Sequence, residues 1–193
     1  MRASFLTLLL VLFSSLALAE APQVFILNLA ESSVQFQIDS PMMPITGTIE
    51  RYSGRLVKTG KLVNQFEIFL DCELASTKIT GEQLQGLPIG ELMASVKNST
   101  AHFEGKPVSQ KADGTLNIGG TLKWRGKSYT VSFPLQLKQE GKNLIALQGK
   151  IRGNTTNLLE ELPMLSLFQI QGASAAAKLV FIKSSGSFNG LAS

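Results

Sequence analysis

His102 is the only histidine in the 193-residue chain, and Cys72 is the only cysteine. Together they set what chemistry the sequence can offer. A nucleophilic triad needs a nucleophile, a base and an orienting carboxylate in contact. No Gly-x-Ser-x-Gly turn accompanies His102 to supply the nucleophile. In Ala101-His102-Phe103 the alternation turns the imidazole away from its two apolar neighbours, which predicts a solvated side chain. One His and one Cys cannot provide the three or four ligands of a zinc site. The chain also lacks a Gly-x-x-x-x-Gly-Lys phosphate loop. The acidic pairs Asp71/Glu73 and Glu160/Glu161 read as solvated charges. No catalytic residue and no metal ligand is predicted.

Cys72 lies in Phe66-Glu67-Ile68-Phe69-Leu70-Asp71-Cys72-Glu73-Leu74. Alternation groups it with Phe66, Ile68, Leu70 and Leu74. It therefore reads as a buried thiol acting as a small hydrophobe. A lone cysteine forms no internal disulfide.

The elements that position these residues have a period of two. Val34-x-Phe36-x-Ile38, Leu116-x-Ile118-x-Gly120-x-Leu122-x-Trp124, Val131-x-Phe133-x-Leu135-x-Leu137 and Ile145-x-Leu147-x-Gly149-x-Ile151 each alternate with mostly polar residues. Each is a half-buried strand by pattern. Glycine-bearing segments at 113–114, 125–128 and 140–143 read as turns between antiparallel strands. Strands are expected near 23–29, 33–39, 45–52, 62–74, 100–105, 115–124, 129–138, 144–152 and 176–183. One or two short helical insertions are expected, at 88–96 and from Asn157. The class is all-β, with a closed barrel of about eight strands or a two-sheet sandwich as the ways to manage sheet edges.

Residues 1–19 read as a cleavable signal peptide. Arg2 is the positive start, Phe5 to Phe13 is apolar apart from Thr7, and Ala17-Leu18-Ala19 fits the small-residue cleavage pattern. The expected domain is 20–193, delivered to the periplasm or secreted. The apolar run falls short of the roughly 20 residues that span a bilayer, and no later run reaches that length. The formal charge of +4 is mild, and the basic residues are scattered, so nucleic acid is not an expected partner.

Five blocks carry a resemblance. They are Ser33-Val34-Gln35-Phe36-Gln37-Ile38; Ile45-Thr46-Gly47 through Tyr52-Ser53-Gly54; Phe66-Glu67-Ile68 leading to Ala75-Ser76-Thr77; Ser99-Thr100-Ala101-His102-Phe103; and Gly114 through Val131, with Leu122-Lys123-Trp124-Arg125-Gly126-Lys127 at its centre. In this order the chain resembles the YceI-like family. The resemblance implies an antiparallel lipocalin-like β-barrel with an internal tunnel for a long polyisoprenoid or isoprenoid quinone, and no cofactor beyond that ligand. Two blocks depart from the family pattern: Glu31-Ser32-Ser33 stands where His-Ser is usual, and Arg152-Gly153-Asn154-Thr155-Thr156-Asn157 replaces an Arg-x-Asp-aromatic-Gly signature.

Under this resemblance the expected ligand-lining residues are Phe36, Ile38, Phe66, Ile68, Leu70, Phe133, Leu135 and Leu147. Patterning alone equally allows them to fill a solid core. The alternative function is then a solid β-barrel module that binds another periplasmic protein. The sequence specifies no oligomeric state.

Overall fold

A computed structural model of the chain describes residues 22–41, 44–80, 99–152 and 171–184. The helical insertions expected at 88–96 and from Asn157 lie outside the described residues, as does the signal segment. Eleven strands are present: β1 Gln23–Leu27, β2 Ser33–Asp39, β3 Ile45–Ile49, β4 Tyr52–Lys58, β5 Phe66–Glu73, β6 Thr77–Thr80, β7 Thr100–Gln110, β8 Thr115–Trp124, β9 Lys127–Glu140, β10 Leu144–Arg152 and β11 Gly172–Lys183. Among the described residues the one helical element is a 3-10 turn, Leu74–Ser76.

The eleven strands form eight rows. β1 and β2 follow one another along the same edge of β11, at Phe25↔Lys183 and Ser33↔Lys178. β4 and β3 lie in turn against β1 and β2. β5 and β6 lie against β4 and β3. With β7, β8, β9, β10 and β11 these rows close into an antiparallel barrel through β1–β11 pairing. Closure leaves no sheet edge at this level.

Each broken row is held at its break by polar groups. Val180 falls between the β1 and β2 pairings of β11. Its N–H donates to Ser32 Oγ at 2.9 Å, and its carbonyl accepts from Asn28 N–H at 2.7 Å. The Ser76 hydroxyl is buried beside two breaks at once. It accepts from Arg51 N–H at 2.8 Å and donates to the Glu73 carbonyl at 2.6 Å. The sequence reading of one strand over 45–52 therefore becomes two, because the chain bends at Glu50-Arg51 and continues as β4.

The lower half of the barrel is packed solid. Phe25, Leu56, Phe66, Ile68, Leu116, Ile118, Leu135, Ile145, Leu147 and Phe181 are each at most 2% exposed and form one cluster. Glycines inside the wall give large neighbours room to lie flat. Gly105 pairs with Gly120 across β7 and β8, and the Phe103 ring covers both. A Cβ on Gly120 would overlap the Glu104 carbonyl oxygen and stand 2.6 Å from Gly105 Cα. These are backbone atoms, which cannot yield cheaply. Gly120→Ala is therefore expected to destabilise by about 1–3 kcal/mol, read as a lowered Tm in thermal unfolding. An unchanged Tm would contradict this packing.

Candidate functional site

The upper half is built differently. β9 pairs with β10 from Glu140↔Leu144 to Gln136↔Gln148 and no further. Above that point β9 continues beside β8, and β10 continues beside β11. On the far side the chain leaves β7 at Glu73 and continues as β6 along β3. Among the described residues the upper wall is thus two leaves: β7–β8–β9, and β10–β11–β2–β3–β6. Pro134 sits just above the last β9–β10 pair and has no N–H to donate to a ladder.

Both leaves turn apolar faces inward. Leu122, Val131 and Phe133 of the first are half-buried and rest on the packed cluster. On the second leaf Phe36, Ile79, Ile151, Ala173, Ala175 and Ala177 hold the inward positions and are likewise half-buried. β11 records the change along one strand face. Its inward residues run Ala173, Ala175, Ala177, then Leu179 and Phe181, from half-buried at the top to 3% and 0% exposed in the floor. Side-chain size therefore decides where the barrel is filled and where its inner wall stays accessible.

The eight residues expected to line the interior all lie on inward-facing strand positions, in two settings. Phe66, Ile68, Leu135 and Leu147 are 2%, 1%, 2% and 0% exposed and are enclosed by other side chains in the floor. Ile38 is 8% exposed and pairs with the fully buried Ile45. Phe36, Leu70 and Phe133 are half-buried. The Phe133 ring packs against Phe103 in a tilted arrangement, 5.2 Å between centroids and 46° between planes, where floor meets upper half. Leu122, Val131 and Trp124 on one leaf and the three alanines on the other hold inward positions beyond those eight.

Two ionisable groups near the interior are shifted by burial. Burial pushes the Cys72 thiol up to about 11, with the Asp71 charge adding to the effect. Burial also raises the phenol of Tyr52, its cross-strand neighbour. The half-buried thiol is therefore held in its protonated form near neutral pH. Alkylation of the native protein by iodoacetamide is therefore expected to be slow, and to accelerate on unfolding in guanidinium. Equal rates in the two states would contradict this setting for Cys72.

His102 is exposed and pairs with Asp71 across β5 and β7, Nδ1 to Oδ1 at 2.5 Å. Glu73 accepts two bonds from the Arg51 guanidinium, at 2.5 and 3.0 Å. That holds its carboxyl below its ordinary value. Any stability from this exposed pair is complete above the unfolded-state pKa and is lost as pH falls through the lowered one. Among the described residues no group of three or more His, Cys, Asp or Glu is placed to hold a metal. No described helix is long and apolar enough to cross a membrane. A groove of about 520 Å³ with a mixed lining that includes Gln136, Lys138, Leu144, Gln148 and Lys178 runs along the outer face of β9, β10 and β11.

A closed antiparallel barrel of eight rows around an apolar interior is lipocalin-like in architecture. The YceI-like domain family matches residues 25–178, and the chain belongs to that family. Two solved structures share the fold. One is the crystal structure of BcnA from Burkholderia cenocepacia, with TM-score 0.58 and 17% identity over 80% of this chain and 98% of that one. The other is a polyisoprenoid binding domain from Saccharophagus degradans implicated in plant cell wall breakdown. Its TM-score is 0.56 and its identity 13%, over 83% of this chain and 98% of that one. No curated protein matches.

Proposed function

We propose that this protein is an exported, non-catalytic carrier that holds a long apolar chain of polyisoprenoid type in the upper half of its barrel. The observation that carries the reading is the shift from Leu179 and Phe181 to Ala177, Ala175 and Ala173 on the inward face of β11. It leaves an accessible apolar wall above a filled floor. The neighbour described as a polyisoprenoid binding domain supports the class of ligand, and family membership supports a binding role. Phe36, Leu70 and Phe133 are assigned to the ligand's walls. Ile38 closes one end. Phe66, Ile68, Leu135 and Leu147 are assigned to the floor beneath it.

Magnitudes favour binding without a reactive group. Each buried methylene contributes about 0.8 kcal/mol, hence roughly 4 kcal/mol for a five-carbon unit. Burial of four such units offsets an association cost of about 4–15 kcal/mol. The signal-like pattern at 1–19 supports delivery to the periplasm or outside the cell, with 20–193 as the working domain.

The test is gentle purification from the exported fraction, organic extraction and mass spectrometry. A co-purifying polyisoprenoid, on a protein whose mass begins at Glu20, is expected. No extracted lipid together with no uptake of added quinone would overturn the carrier reading and favour the solid interaction module. An intact 1–19 segment on cytoplasmic protein would overturn export.

A further inference from the structure

Resting on the carrier reading, we infer that the cargo ends in a head bearing a hydrogen-bond-accepting oxygen, and that the indole N–H of Trp124 receives it at the mouth of the upper compartment. Trp124 is the last residue of β8, on the same inward phase as Leu116, Ile118 and Leu122. Its ring is partly exposed, but Nε1 is buried and has no hydrogen-bond partner. An indole N–H can only donate. Leaving a buried donor unmatched is unfavourable, and the large majority of buried polar groups in native proteins are matched. The donor therefore needs an acceptor.

Its immediate sequence neighbours do not offer one from their side chains. Lys123, Arg125 and Lys127 flank it, and all three side chains are donors only. The Arg125 guanidinium lies 5.9 Å from the centre of the Trp124 ring. A head with oxygen lone pairs supplies the acceptor that the indole lacks. A quinone carbonyl and a phosphate ester share that chemistry. The head then sits at the β8–β9 hairpin, and the tail runs down past Val131 and Phe133 to the floor at Phe103. Trp124 acts here as a specificity-determining residue. The apolar wall binds any chain of suitable width, and the indole selects chains that carry a head.

Trp124 is the only tryptophan, so its indole N–H gives one assignable resonance in a ¹⁵N spectrum. The delipidated full protein is titrated with an isoprenoid quinone, a polyprenyl monophosphate and headless squalene. The indole resonance is expected to move downfield with at least one headed chain and to exchange more slowly with water. Which head moves it separates carbonyl from phosphate. Squalene is expected to bind without that shift. Trp124→Phe is expected to lose about tenfold affinity for the headed chain, the equivalent of about 1.4 kcal/mol, and to keep its affinity for squalene. The proposal is overturned if headed chains bind with the indole resonance unmoved, or if Trp124→Phe weakens squalene and headed chains equally. If neither headed nor headless chains bind, the carrier reading falls, and this inference with it.

Discussion

Ile68→Asp is expected to abolish folding, while Glu67→Asp one residue away passes unnoticed. Ile68 is 1% exposed in the floor and lies between Leu56 on β4 and Gly105 on β7. Losing the aliphatic side chain alone costs about 2–5 kcal/mol. An unpaired carboxylate in its place adds several kcal/mol or is forced to protonate. The sum reaches the whole stability of an ordinary domain, about 5–15 kcal/mol. Glu67 points the other way and is exposed. Shortening it by one methylene keeps the charge, and such surface changes usually stay within about 0.5 kcal/mol. Circular dichroism with thermal unfolding reads both variants. A tolerated Ile68→Asp beside a damaging Glu67→Asp would mean that the phase of β5 is inverted.

Ala175→Trp has the largest expected effect on binding. Ala175 is half-buried and inward-facing, between Phe36 on β2 and Ile151 on β10. An indole there occupies the space assigned to the cargo without entering the packed floor. Bound polyisoprenoid is expected to fall at least tenfold, with Tm changed by only a few degrees. Leu147→Ala should show the opposite pattern. It opens the floor at a position that is 0% exposed, costs about 2–5 kcal/mol, and leaves the upper wall intact. Measuring Tm and bound lipid on both variants separates floor from compartment. Unfolding of Ala175→Trp would mean that the upper half is filled, and normal loading would mean that the chain binds elsewhere.

Much of the barrel is legible in the sequence, because a strand buried on one face advertises itself by alternation. The strands around Phe36, Ile118, Phe133 and Leu147 stand out for that reason. β4 is hidden because its inward positions include Gly54 and Lys58 as well as Tyr52 and Leu56, which dilutes the pattern. β6 is hidden because Thr77-Lys78-Ile79-Thr80 carries one aliphatic residue. β7 outruns its pattern because the register shifts between Pro107 and Ser109 and leaves Val108 58% exposed.

The candidate site is less legible, since alternation assigns a face and says nothing of whether that face meets side chains or space. Phe66 and Phe36 look equivalent by period, yet one is 2% exposed and the other half-buried. The missing signal was volume rather than polarity. Ala173, Ala175 and Ala177 ahead of Leu179 and Phe181 mark where the interior stops being filled. Trp124 is not legible as a site residue, because a tryptophan at the end of a strand reads as core until its nitrogen is seen to lack a partner.

Photo-crosslinking with a polyprenol carrying a diazirine along its chain tests the location of the cargo most directly. The competing apolar surface is on the outside, where Ile26 and Ile182 pair across β1 and β11 and are 41% and 42% exposed. The carrier account predicts label on the peptides containing Phe36, Val131, Phe133 and Ala175, and none at Ile26 or Ile182. Label concentrated at Ile26 and Ile182, with the inner leaves unmarked, would contradict it.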